Sequence, residues 1–328
     1  MKKGKEVIVW CITVPALLVV FLYAVNTGSL KVTPVQLFKG LFIAYNPQVA
    51  TVYDLRFPRI IVAMLGGAAT AVSGVLLQAV MKNPLADPGI IGVSSGASFV
   101  AVLVTAFVPS LYFYTPILAF IGGMAAFIMV YGLSWKGGLS PLRIILVGVA
   151  VNAMFTGLMS AFNSSTGSSY SGVASIVNAN ITMKTWSDVR ILFVYTAIGL
   201  IASVFVLGKC NLLALEDKTA RSIGVNVTGT RITVSVIAVL LASISTAVIG
   251  PISFLGLIVP HIARLLVGSN HKVLVPYSIV LGALMLLCAD TLGRTIAAPY
   301  EISASVIMSV IGGPFFIILL RRSKKNYG

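Results

Sequence analysis

The feature that most restricts what this chain can become is a series of apolar stretches, each about 18 residues or longer, that recurs from one end to the other. An α-helix rises about 1.5 Å per residue, so roughly 20 apolar residues cross a hydrocarbon core of about 30 Å. Spans are predicted at about 7–25, 58–81, 92–109, 115–133, 142–163, 190–208, 232–249, 252–268, 274–296 and 302–320. Only 9% of the residues are charged and the mean hydropathy is +1.02, which excludes an ordinary soluble domain of this length. The expected fold class is therefore all-α, a polytopic membrane bundle of about ten transmembrane helices. The intervening loops are too short for a second, soluble domain, so residues 1–328 read as a single transmembrane domain.

A formal charge of +15 could signal nucleic acid, but the basic residues stand at span ends, where the positive-inside rule puts them. With the N-terminus inside, Lys2, Lys3, Lys5, Lys82, Lys136, Arg143, Lys209, Lys218, Arg221, Arg231, Arg264, Lys272, Arg321, Arg322, Lys324 and Lys325 fall on the inner side. An even span count returns the C-terminus to that side as well. Both termini are expected in the cytoplasm, and no nucleic-acid partner is needed. Lys2, Lys3 and Lys5 precede an apolar stretch that reaches Val25 without a small-x-small cleavage site, which reads as a retained first helix and not a signal peptide. Cys11, Cys210 and Cys288 are scattered singly, without metal-ligand spacing.

Three loops carry information. Thr33-Pro34 ahead of Val35-Gln36-Leu37-Phe38 is a cap-then-proline helix start, which predicts a short interfacial helix between the first two spans. The outer loop from Asn163 to Asp188 is polar, with room for a short helix around Val173 to Val177. The inner loop, about 209–231, sets Leu212, Leu213, Leu215, Ala220 and Ile223 at helical spacing among Glu216, Asp217, Lys218 and Arg221, before Gly224. One or two short amphipathic helices, offering a docking face to a cytoplasmic partner, account for that stripe. Within the second span, Gly66, Thr70 and Gly74 recur every four residues, and small residues on one stripe let helix backbones approach closely in a bilayer.

These residues fall into a collinear set of motifs. Leu55-Arg56-Phe57-Pro58-Arg59 leads into Gly66-Gly67-Ala68, Asn83-Pro84-Leu85-Ala86-Asp87-Pro88 and Gly92-Val93-Ser94-Ser95-Gly96-Ala97. Leu213-Ala214-Leu215 runs through Ala220-Arg221-Ser222-Ile223-Gly224-Val225. Gly250-Pro251-Ile252-Ser253-Phe254-Leu255-Gly256-Leu257 continues through Pro260-His261-Ile262-Ala263-Arg264 to Ala289-Asp290 and Gly312-Gly313-Pro314-Phe315-Phe316. The chain resembles the permeases of the iron-chelate, haem and cobalamin importers, the FecCD and BtuC type of type II ABC importer, over nearly its whole length. Glu216-Asp217 departs from the pattern, standing where the family usually places a glycine and an acid.

The resemblance implies two permease subunits, identical or paralogous, around a central pathway in the bacterial cytoplasmic membrane. It also implies two cytoplasmic ATPase subunits and an extracellular or periplasmic solute-binding protein that delivers an iron-chelate substrate, a ferric siderophore being the commonest and haem or cobalamin the alternatives. No phosphate-binding G-x-x-x-x-G-K-[ST] motif occurs, so ATP and Mg are expected to be used by a partner, with no catalytic residue, metal site or cofactor in this chain. Leu213, Leu215, Glu216, Asp217, Ala220, Arg221, Ile223 and Gly224 occupy the ATPase-coupling positions. Arg56, Arg59 and Arg294 match positions that receive acidic residues of the binding protein; local pairing, Arg294 with Asp290 one turn earlier, is the other possibility. The pathway is expected along the fifth and tenth spans, with Asn152, Ser160 and Asn163 as weakly polar lining residues. His261, without ligand companions, suits a cap or an ATPase contact better than a metal. An ion-coupled secondary transporter would keep ionisable groups at mid-membrane, and only Asp290 is a candidate.

Overall fold

A computed structural model describes residues 2–28, 30–134, 141–165 and 171–323. Lys136, Lys324 and Lys325, assigned above to the inner side, lie outside the described residues. Every regular element among the described residues is helical: α1 (Lys2–Asn26), α2 (Pro34–Phe42), α3 (Pro47–Leu55), α4 (Phe57–Met81), α5 (Val93–Phe107), α6 (Thr115–Ser134), α7 (Pro141–Ser165), α8 (Ser171–Val177), α9 (Trp186–Val204), α10 (Leu207–Leu213), α11 (Asp217–Ser222), α12 (Val227–Ile249), α13 (Leu255–Val267), α14 (His271–Ile296) and α15 (Ala304–Ser323), with a 3-10 segment at Pro109–Tyr114. Among the described residues, seven helical segments are long and apolar enough to cross a membrane. Shorter apolar helices at Val93–Phe107, Leu255–Val267 and Ala304–Leu319 stand where the other three spans are predicted.

Helix α4 is the axis of the bundle, buried along nearly its whole length against α9, α12, α13 and α14. Its small residues make this possible. A Cβ on Gly66 would strike the Ile249 side chain of α12, one on Gly67 the Gly282 carbonyl of α14, and one on Gly74 the Gly256 carbonyl of α13. Thr70, on the same stripe, shares a 2.8 Å hydrogen bond with Ser245 of α12. Lipid offers no hydrophobic drive between helices, so van der Waals contact at this distance and buried hydroxyl pairs hold the seam. Helix α1 docks on α14 through a 2.8 Å Thr13–Tyr277 hydrogen bond and an edge-to-face Trp10–Tyr277 contact. Outward-facing Val7, Ile12, Val19, Ile121, Ile128, Ile198 and Ile201 form the apolar girdle.

Two helices start inside the bundle. Helix α13 follows an unwound Gly250–Phe254 segment beside the middle of α4, and α5 begins at Gly92 against Gly148 and Asn152 of α7. Irregular backbone at that depth is tolerated only where protein covers it. Here Gln78 of α4 donates to the carbonyls of Ala86 (3.1 Å) and Gly256 (3.4 Å), and fully buried Asp87 accepts from the N–H groups of Gly89 (2.8 Å) and Ile90 (3.1 Å). The second Asp87 oxygen faces Gly256 at the start of α13 without full hydrogen-bond geometry. A carboxylate between two helix N-termini sits where the peptide dipoles favour negative charge.

The short loop helices form for local reasons. Thr33 and Gln36 close a capping box at the start of α2, with Pro34 at its first position, and Asn46 caps α3 through the N–H groups of Gln48 and Val49. Only the first of these was predicted, although Asn46-Pro47 carries the same cap-then-proline signal. Helix α8 covers the predicted Val173 to Val177 segment, set against α5.

Candidate functional site

At the end of the bundle expected to be cytoplasmic, α10 and α11 divide the predicted apolar stripe into two faces. Leu213 and Ala220, each 1% exposed, turn inward with Leu207 and Cys210. Leu215 (38%) and Ile223 (58%) turn outward, among exposed Glu216 and Arg221. Gly224, with φ +84°, ends α11 in the left-handed conformation that glycine adopts freely, and the Val225 N–H returns to the Ala220 carbonyl (3.0 Å). Ala220 therefore anchors the segment formed by α10 and α11, whereas Leu215 and Ile223 present its apolar surface.

Asp217 fixes the position of α11. Its Oδ1 accepts from Lys82 Nζ at 2.9 Å and from Arg231 Nη2 at 3.0 Å, tying the helix to the ends of α4 and α12. The Lys82 hydrogen bond and the neighbouring Arg231 charge hold this carboxyl below its ordinary range. Lys82 also donates to the Leu215 carbonyl, and its left-handed backbone closes α4. The neighbouring Arg264 of α13 donates to Gln78 Oε1, and Asn211 of α10 holds His271 through its N–H (2.9 Å) and ring Nδ1 (2.8 Å). His261 sets its ring edge against Phe315 of α15.

At the opposite end, Arg59 and Arg294 point into the protein. Asp290 of α14 accepts from Arg59 Nε (3.0 and 3.1 Å) and Nη2 (2.8 Å), and Arg294 Nε lies 3.3 Å from it as an ion pair without hydrogen-bond alignment. Glu301, ahead of α15, accepts from Arg59 Nη1 (2.8 Å) and from the Thr182 hydroxyl (2.9 Å). Arg56 donates to the carbonyls of Val25 (2.6 Å) and Leu30 (2.7 Å), closing the chain beyond α1. The local Arg294–Asp290 pairing is thus present, within a network that sequence spacing could not reveal because it joins α4, α14, the approach to α15 and the loop around Thr182. A polar cavity of about 320 Å³, lined by Arg59, Asn180, Thr182, Glu301 and Ser303, opens beside it.

On α7, Val151, Phe155 and Met159 pack inward at four-residue steps, and Val149, Met154 and Leu158 are exposed. Asn152 and Asn163 are half-buried and Ser160 is exposed. At 100° per residue Asn152 and Asn163 share a face, with Ser160 rotated about 80° from Asn152.

The comparisons with known proteins agree with this architecture. The model of the FecCD transport family matches residues 16–322. The protein named "Probable heme-iron transport system permease protein IsdF" of Staphylococcus aureus strain Newman is 42% identical over 326 residues, covering 99% of each chain, and the strain MW2 form is 41% identical over the same length. Among solved structures, an inward-facing ABC transporter described as of the metal-chelate type superposes with a TM-score of 0.79 at 28% identity, covering 94% of this chain and 97% of that one. PsaBC of Streptococcus pneumoniae, solved with a Fab, shares the fold at a TM-score of 0.58 and 18% identity, over 87% of this chain and 95% of that one.

Proposed function

The chain belongs to the FecCD transport family, as a permease subunit of an ABC importer, and from that premise we propose that it moves iron held in an organic chelate, with haem as its cargo. The observation that carries the cargo is the 42% identity, end to end, with a permease named for heme-iron transport. Ferric siderophore is the second reading, favoured by the likeness to a metal-chelate type transporter.

The geometry supports a division of labour. Two copies, or this chain and a paralogue, enclose the pathway in ten spans each, with both termini in the cytoplasm. Leu215 and Ile223, framed by Glu216 and Arg221, dock an ATPase subunit that uses ATP and Mg. Movement of α10 and α11 reaches the bundle through Asp217, Lys82 and Arg231, and the two subunits rock between outward-open and inward-open states. At the outer end Asp290 and Glu301 pair with Arg59 and Arg294 while Arg56 donates to the Val25 and Leu30 carbonyls, so three guanidinium groups meet two carboxylates and leave an electropositive rim for an acidic binding protein. Glu301, the exposed carboxylate, is the one an incoming acid replaces on Arg59, and Arg56 borders the same face. Asn152, Ser160 and Asn163 line a weakly polar pathway that releases its cargo readily.

Uptake of radiolabelled haem and of ferric siderophores in cells deleted for this gene, with and without its return, tests the cargo. Restored haem uptake alone is expected. Restored siderophore uptake with no change in haem overturns the haem reading.

A further inference from the structure

A cavity of about 320 Å³ lies beneath the coupling helices, between the end of α4, α10, the inner part of α13 and the turn into α14. Its wall is rich in donors: Gln78, Lys82, Asn83, Arg264, Ser269 and His271. None of the eight acidic residues of the chain lines it.

Two observations show that, while Lys82 is paired with Asp217, the Arg264 and Asn83 donors of this wall lack an acceptor to match them. Arg264 donates only to the neutral Gln78 oxygen, and among the described residues no carboxylate forms an ion pair with it. A guanidinium with that little compensation so close to the protein interior is costly. Independently, Asn83 is 3% exposed and its Nδ2 has no hydrogen-bond partner. The amide orientation is fixed, because Asn83 Oδ1 accepts from the Leu85 N–H at 2.9 Å and a flipped amide would set two donors against each other. A buried donor left open is costly unless something accepts from it.

We propose that this cavity binds a phosphate-class oxyanion, free or as the headgroup of an anionic lipid, on Arg264, Asn83 and Lys82. A tetrahedral oxyanion offers the several acceptors that a guanidinium fork, an amide and an ammonium require together. The volume admits one phosphate group with its hydration. The site is independent of the cargo, and its position gives it a consequence. Lys82 holds Asp217 of α11, and Gln78 links Arg264 to the carbonyls at the entry of both α5 and α13. An anion that draws on Lys82 and Arg264 loosens the grip on α11, and the coupling segment senses occupancy.

The test uses the full chain in phosphatidylcholine nanodiscs, titrated calorimetrically with inorganic phosphate at constant ionic strength, and in phosphatidylglycerol nanodiscs examined by native mass spectrometry. Asn83→Asp keeps the acceptor for Leu85 and supplies the cavity with its own carboxylate, so it should fold with an unchanged or raised thermal midpoint. It is expected to weaken phosphate binding at least tenfold, or to abolish retention of one phosphatidylglycerol per chain. Phosphate binding alone identifies a free anion, and lipid retention alone identifies a headgroup. Arg264→Gln, which removes the cation and keeps the Gln78 contact within reach, repeats the measurement from the other wall. The proposal is overturned if wild-type protein binds neither probe, or if both folded variants bind as wild type does.

Discussion

Replacing Asp290 with Asn tests the outer network at its least forgiving point. The amide matches the carboxylate in size, so no cavity forms and the change is one of charge. Asp290 is 1% exposed, and it faces the Arg59 and Arg294 side chains, 9% and 7% exposed. With the carboxylate gone, the charged partner left to two nearly buried guanidinium groups is Glu301, whose side chain is 40% exposed and which pairs with Arg59, while Arg294 keeps a 3.5 Å contact to the Ala24 carbonyl. Breaking one side of a buried ion pair costs about 3–5 kcal/mol, because the partner's desolvation is left without compensation. Glu301→Gln removes a solvent-screened pair, for which about 0–1 kcal/mol applies. Unfolding of both variants in nanodiscs by a chemical denaturant, with a double-mutant cycle on Arg59→Met, should give a cost several times larger at Asp290 than at Glu301, and strong coupling to Arg59. Equal costs at the two carboxylates, or an Asp290→Asn variant within about 1 kcal/mol of wild type, would refute the reasoning.

Ile223→Asp with Leu215→Asp should abolish co-purification of the ATPase while leaving the thermal midpoint of the permease unchanged; Ala220→Asp, which buries a charge, should lower that midpoint first. Asp217 has a depressed pKa in the folded chain, so its contribution is complete above the ordinary carboxylate range and is lost as pH falls through the folded value. Protection factors of residues 217–225, with exchange corrected for its intrinsic pH dependence, are therefore expected to be high at pH 7 and to fall below about pH 4, and protection factors that do not change with pH contradict the Lys82 and Arg231 clamp. Gly67→Val forces a side chain onto the Gly282 carbonyl, which should cost about 1–3 kcal/mol or more and show as lost folded yield, whereas the same change at Gly132, where open space surrounds the position, should be tolerated.

Apolar run length made most of the bundle legible in the sequence, and cap chemistry made α2 legible. The predicted spans at 92–109 and 252–268 located α5 and α13 as well, but not that both start inside the bundle, which depends on Gln78, Asp87 and Gly256 meeting across long sequence separations. Helical spacing placed Leu213, Leu215, Ala220 and Ile223 on one stripe. Because α10 and α11 are separate helices joined by a turn, spacing could not tell that Ala220 faces in while Leu215 faces out. The pairing of Arg294 with Asp290 follows from i,i+4 geometry, but the approach of Arg59 from α4 and Glu301 from beyond α14 requires the tertiary fold. Asn83 attracted notice only as part of a motif; its open donor is visible only once the cavity is built.

The central claim is that this permease draws its power from an ATPase held on Leu215 and Ile223. Proteoliposomes containing the permease with its ATPase and binding protein should take up chelated iron only when ATP is supplied on the coupling-helix side, and the Leu215→Asp, Ile223→Asp variant should take up none. Uptake by the permease alone, driven by an ion gradient, or undiminished ATP-driven uptake by that variant, would contradict the account.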